Sequence, residues 1–503
     1  MGTFDINAHM SWLDFGIIGA YMVGMLGVGY YVSRKVPSFD EYMIAGRTMT
    51  TPVLVCTLVS TYYGLDVLFG TSELAFNAGV VAFFGYSQLS LAVYLFAALF
   101  LAKRLRTRDF KSLPEIMERH YGRGAGVLGA LASFVYSIPA LVLFGLGRLS
   151  EVILGFDSQI GALIIGGVAL AYTLMGGLWA VAITDTIQFV LMCVTLAVAI
   201  PLVMIQVGGF DAVAAVAPEG YFAPFGSIPI WLVIAYATTG LSILVDPGFY
   251  QRVFAARDYR QARNALLVGL LIWAAYDWLV TAGGMLAAVA AKNGMISPIV
   301  HQNDALLTVL TLILPVGLTG IFLAGVLATA MSTIDSYTLV AGGNLVYDFY
   351  RPVFKPHASD RELVRLTKLC IVVSWLMGYI LAFTFDRLIA LWVFTASFLM
   401  SIVLVPILMA LYSKRPKTPL AGLLSAGFGL VGVVAFYLLL YRFGVENQTY
   451  DTYILDLHLG GMTISLWQEY AAFFTIPLSL LGYLIGNRFG RTPSAERATE
   501  TDS

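Results

Sequence analysis

Runs of about twenty apolar residues recur along the whole chain, joined by short polar segments and showing no apolar/polar alternation inside them. Roughly 20 helical residues cross a hydrocarbon core of about 30 Å, whereas a membrane barrel would show alternating segments of about ten residues. The pattern predicts an all-α polytopic membrane protein. It places thirteen spans near residues 12–32, 51–70, 80–102, 126–154, 159–176, 182–207, 229–249, 265–290, 317–346, 364–385, 388–412, 418–441 and 467–487. No long polar insertion divides them. Residues 12–487 are therefore expected to form one transmembrane domain, with 488–503 a short cytoplasmic tail.

Basic residues test that reading. With the N-terminus outside, 25 Lys and Arg fall on inside segments, among them Lys103 to Arg123 and Arg252 to Arg263. Outside segments hold only Lys292, Arg387 and Arg442, and Arg148 lies within a span. Cytoplasmic loops carry such an excess. The expected location is a bacterial inner membrane, in contact with lipid. Only 12% of the 503 residues are charged, against roughly 25% in soluble domains. Net charge is −1, so no nucleic-acid partner is expected. The three cysteines sit in apolar runs without CxxC spacing, which points to neither a disulfide framework nor a metal site. No HExxH, Walker or GxSxG motif is present, so the chain does not read as an enzyme.

Two apolar runs carry more polar groups than lipid tolerates. Residues 51–79 hold Ser60, Thr61, Gly64, Asp66 and Glu73. A carboxylate at the bilayer centre costs about 2.5–3.5 kcal/mol, and Gly64 weakens a continuous helix. A discontinuous helix lining a cavity meets both constraints. In the ninth span Thr329, Ser332, Thr333 and Ser336 recur at helical spacing, with Asp335 adjacent. Carbonyls freed by the break and hydroxyls on that stripe would make an oxygen cage suited to a hard cation such as Na+.

Five stretches, in order and each on the expected side of the membrane, resemble the sodium/solute symporter family over nearly the whole chain. They are FDEYMIAGR (39–47), SLPEIMERHYG (112–122), YTLMGGLWAVAITDTIQ (172–188), PGFYQRVFAARD (247–258) and ATAMSTIDS (328–336). The resemblance implies inverted five-helix repeats of the leucine-transporter type, about 51–207 and 229–412. It implies a sodium site made of the Ser60, Tyr63 and Thr329 carbonyls and the Ser332 and Thr333 hydroxyls. Asp185 matches an aspartate associated with a second ion site or the inward exit path. Read without the resemblance, Asp185 could instead cap the start of the sixth span. Asp66, Thr239 and Pro247 are candidate solute contacts. Arg148 and Glu151, three apart, suggest a local ion pair. Parts of the chain look closer to the proline-carrier branch. The polar residues of the sugar carriers are replaced by Val67 and by Tyr86 or Ser87, and the proline carriers' acidic residue in the break falls at Tyr62.

The function these features imply is sodium-coupled symport of a small organic solute, an amino acid or other organic acid or amine, by alternating access. A proton-coupled carrier using Asp66, Asp185 or Asp335, or a transporter-derived sensor, are the alternatives. An odd number of spans puts the termini on opposite sides. Cysteines placed at Thr3 and Ser503 should therefore label from opposite faces of intact cells, and labelling from one face would mean an even number.

Overall fold

The computed structural model describes residues 10–33, 38–226, 230–296, 304–384, 388–447, 452–459 and 462–491. Its long helices are α1 (Trp12–Ser33), α2 (Thr51–Tyr62), α3 (Leu65–Ala78), α4 (Ala82–Arg106), α5 (Arg123–Tyr136), α6 (Ala140–Leu154) and α7 (Ser158–Val207). They continue with α8 (Ile230–Val245), α9 (Pro247–Ala255), α10 (Tyr259–Lys292), α11 (Leu318–Phe354), α12 (Asp360–Ala382), α13 (Leu388–Tyr412), α14 (Pro419–Phe443) and α15 (Ala471–Phe489).

Among the described residues, ten helices are long and apolar enough to cross a membrane. Counting each of two bent pairs as one span gives twelve, fewer than the thirteen expected. The difference lies in α7, 50 residues long, which the hydropathy pattern divides in two. Gly177 within it is non-helical, with φ 56° and ψ −146°. Gln188 Nε2 nonetheless lies 3.5 Å from the Tyr172 hydroxyl. Sixteen residues of straight helix would hold the two about 24 Å apart, so the chain turns back at Gly177.

The bent pairs are α2/α3, meeting at 58°, and α8/α9, meeting at 41°. The first is the expected discontinuity. Tyr63 leaves helical geometry (φ −88°, ψ 71°) and Gly64 is extended (φ −77°, ψ 174°), so α3 starts afresh. The second break was not anticipated. Asp246 accepts the Phe249 amide at 2.7 Å and Pro247 takes the first helical position, a helix start inside an apolar run.

α11 is the most enclosed of the spans, with 89% of its apolar window buried. Small residues allow this. A methyl group at Gly325 would stand 2.6 Å from the Thr195 hydroxyl, and one at Gly342 3.0 Å from the Thr367 carbonyl. A similar seam joins the last helices. A Cβ at Gly429 of α14 would fall 1.8 Å from the Ser401 carbonyl of α13, and one at Gly482 of α15 would fall 2.4 Å from that of Leu424. Ser401 donates to Thr475 at 2.6 Å, and Ser425 and Ser479 share a bond of 3.1 Å. Between α14 and α15 lies an antiparallel sheet, β1 (Val445–Asn447), β2 (Thr452–Leu459) and β3 (Met462–Trp467). The hydropathy pattern assigns no span to this stretch, and it forms strands instead.

Gly177 has no room for a side chain. Its φ is positive, and a Cβ would meet the Tyr42 carbonyl oxygen at 2.4 Å. Gly177→Ala should cost about 1–3 kcal/mol in thermal unfolding of the purified protein. Gly19→Ala in α1, with no atom within 4 Å, should be neutral or stabilising.

Candidate functional site

A helix end leaves its last four carbonyls without intrahelical donors, and lipid offers none. At the end of α2 the Tyr63 amide closes onto the Val59 carbonyl at 3.1 Å. The Ser60 and Thr61 carbonyls are met from α11. Ser332 donates to Ser60 O at 2.9 Å, and Thr333 to Thr61 O at 3.2 Å. Each hydroxyl also lies 3.1 Å from the Thr329 carbonyl. Five oxygens, three carbonyls and two hydroxyls, thus gather between two helices, and all five residues are buried. Four of the five expected residues meet here, Ser60, Thr329, Ser332 and Thr333. The fifth oxygen in this group comes from Thr61, one of the polar residues of that run but not among the five expected ligands. Tyr63 forms the break itself, its backbone turned out of the helix.

Thr61 also faces the other way. Its hydroxyl accepts from Arg252 Nη2 at 2.9 Å and lies 3.0 Å from that of Ser336. Arg252 is wholly buried, although the charge count treated it as part of an inside loop. It donates to Thr57 at 3.3 Å, to Gln251 at 3.1 Å and to Ser336, and lies 3.8 Å from Asp185. Asp185 accepts a hydrogen bond from Thr57, and its Oδ1 accepts none among the described residues. It lies in the interior of α7, so the helix-start cap is excluded. Asp335 accepts from Ser336 at 3.0 Å and from Tyr172 at 2.7 Å. The cluster holds two carboxylates and one guanidinium. Arg252 escaped notice because a basic residue just past an apolar run looks like a loop charge.

On the far side of the oxygen group lies a cavity of about 310 Å³. Tyr62, Tyr63 and Gly64 of the break line it, with Trp273 and Asp277 of α10 and Thr333 of α11. Val67, Tyr86 and Ser87, the positions that differ from the sugar carriers, also face it. Pro247 does not. It lines a separate space of about 30 Å³ with Phe39, Gln251 and Tyr347, where it starts α9. The side chains of Asp66 and Thr239 lie outside the described residues. Arg148 pairs with Glu151 at 3.1 Å and reaches Asp304 at 3.8 Å, the local pair expected. Asp277 was missed, since a single acid in an apolar run carries no pattern.

Polar groups gathered at a helix break beside an enclosed cavity, in a bundle of membrane-crossing helices, are the layout of a solute carrier. The chain belongs to the sodium:solute symporter family, whose model matches residues 42–427. It is 27% identical to the osmoregulated proline transporter of Bacillus subtilis, over 73% of this chain and 76% of that protein. Identity to the high-affinity choline transporter of Caenorhabditis elegans is 26%, over 86% and 81% of the two chains. The sodium/pantothenate symporter of Escherichia coli is 25% identical over 96% of this chain and 98% of its own. Among solved structures, a Na+-coupled sialic acid symporter in a substrate-bound outward-open state superposes with a TM-score of 0.79. That match covers 96% of this chain and 99% of the symporter at 17% identity, a likeness of fold.

Removing one partner of a buried ion pair costs about 3–5 kcal/mol. Arg252→Met should therefore cut thermal stability and expression sharply, and adding Asp185→Asn should restore part of both. A single Arg252→Met variant as stable as the parent would mean that the two acids carry no charge.

Proposed function

We propose that this carrier couples sodium entry to uptake of a small organic solute. The Ser60, Thr61 and Thr329 carbonyls and the Ser332 and Thr333 hydroxyls hold the ion, and the adjoining cavity holds the solute. The observation that carries the reading is the pair of hydrogen bonds from Ser332 and Thr333 to the carbonyls freed at the break. The donor set fits a hard monovalent cation, being all oxygen, neutral and shielded from solvent. Both hydroxyls can turn their protons away and present lone pairs. Sodium then replaces two interhelical hydrogen bonds and draws the end of α2 against α11. Thr61 and Thr333 border both the oxygen group and the cavity, so ion and solute bind with mutual, reciprocal coupling.

One charge moved through about 100 mV supplies about 2.3 kcal/mol, and a tenfold sodium gradient about 1.4 kcal/mol. Together they support several-hundredfold accumulation of a neutral solute. The relatives' names span an amino acid, a quaternary amine and an organic acid, which supports a small organic solute. The setting is a bacterial inner membrane, with the N-terminus outside and the tail cytoplasmic. The repeats run about 51–207 and 229–412, each opened by a bent pair.

A second reading has one observation in its favour. Arg252 lies 3.8 Å from Asp185 and reaches Asp335 only through Ser336, so two carboxylates have one guanidinium near them and the cluster can take up a proton. Uptake that persists without sodium, rises at acid pH and is lost in Asp185→Asn would select proton coupling. On the sodium reading, Ser332→Ala and Thr333→Ala each remove one ligand oxygen. The apparent sodium affinity of uptake should fall about tenfold or more in both while expression holds. Unchanged sodium dependence in both variants would sink the assignment.

A further inference from the structure

We infer that Asp277 determines which solute the cavity accepts, and that its carboxylate takes a positively charged nitrogen, so that the solute is an organic ammonium compound. The inference rests on the cavity being the solute site. Asp277 lies four residues after Trp273 on α10, which puts both on one face, and both line the cavity. Its residue exposure is only 4%. Ser87 donates to Oδ2, while Oδ1 has no hydrogen-bond partner among the described residues. Among the described residues, no Lys, Arg or His lines the cavity. An ionised carboxylate enclosed in this way is costly without a countercharge. The tie to Ser87 needs only a neutral acceptor, which an asparagine would supply. The second oxygen is thus left for something that enters the cavity.

The walls suit the same ligand. Tyr62, Tyr94 and Trp273 line the cavity and pack against one another, with ring centroids 5.4 Å apart for Tyr62 and Tyr94 and 5.9 Å for Tyr62 and Trp273. Aromatic faces attract cations, and groups of them hold quaternary ammonium ligands. A sugar would leave Oδ1 facing a weak donor in place of a charge, and an anion without a cationic group would be repelled. An ammonium satisfies the carboxylate and the rings at once. Because Thr333 borders both sites, sodium and the ammonium ion sit on opposite sides of one side chain, and Asp277 offsets one of the two positive charges.

The test uses the wild-type protein in lipid nanodiscs and its thermal unfolding. Sodium alone is added first. Its shift reports on the ion site independently of any solute. Choline, glycine betaine, L-proline and putrescine are then added in sodium, with dimethylbutanol as the uncharged isostere of choline. At least one ammonium compound should raise the unfolding temperature, and if it is choline the isostere should fail even at tenfold higher concentration. Asp277→Asn should weaken the bound compound about tenfold or more and leave the sodium shift intact. Ser87→Ala removes the hydrogen bond, keeps the carboxylate, and should leave affinity within about threefold. Equal binding of the isostere, unchanged affinity in Asp277→Asn, or a sodium shift with no response to any ammonium compound would each overturn the inference. Should Asp277→Asn fail to fold, the wild-type comparisons decide. Ammonium binding without any sodium effect would instead overturn the sodium reading.

Discussion

A helix that stops inside a membrane must find donors for its last carbonyls, and most of this structure follows from how that is done at Tyr63. Water is excluded, so the donors come from protein. Ser332 and Thr333 supply them. To do so, α11 must lie against the end of α2 with the hydroxyl face turned toward it. That proximity is what the small residues of α11 make possible. The same requirement makes the crossing responsive. Hydroxyl-to-carbonyl bonds are weak enough to exchange for a cation, whereas a hydrophobic contact there would have no such alternative.

The second broken helix is tied to the first by one side chain. Arg252 belongs to α9, yet its guanidinium reaches Thr57 and Thr61 on α2 and Ser336 on α11, with Asp185 of α7 nearby. Four elements share one charge that cannot leave without stranding two carboxylates. Thr61 joins this cluster to the oxygen group, through its carbonyl on one side and its hydroxyl on the other. The two polar assemblies are consequently one continuous structure, and a shift in either alters the hydrogen bonds available to the other.

How much of this could be read beforehand depended on whether a residue belonged to a pattern. Thr329, Ser332 and Thr333 recur with helical period in an apolar run, so both their face and their chemistry were legible. The break at Gly64 announced itself through a cluster of polar residues. Asp246 and Pro247 form a start signal just as clear, but inside a run that otherwise reads as one span. Arg252 was counted as a loop charge because sequence does not distinguish the last turn of a buried helix from the loop after it. Asp277 depends on what Ser87 and Trp273 place beside it, which only tertiary structure supplies. Gly177 was read as a boundary between spans. The sharpness of the reversal there comes from its positive φ and the Tyr42 backbone against it.

The glycine seam between α13, α14 and α15 has a consequence for how the cavity is entered. Backbones in direct contact, pinned by the Ser401–Thr475 and Ser425–Ser479 bonds, have no side-chain layer to slide on. The three helices therefore behave as one slab. The N-terminal half of α13 brings Leu391, Phe394 and Thr395 to the cavity, so that wall is anchored to the slab like a fixed jamb. The neighbouring wall differs, for Ile138 and Pro139, which separate α5 from α6, also border the space. There the chain lacks a continuous ladder of helical hydrogen bonds, so that wall, unlike the jamb, has a joint at which it can bend.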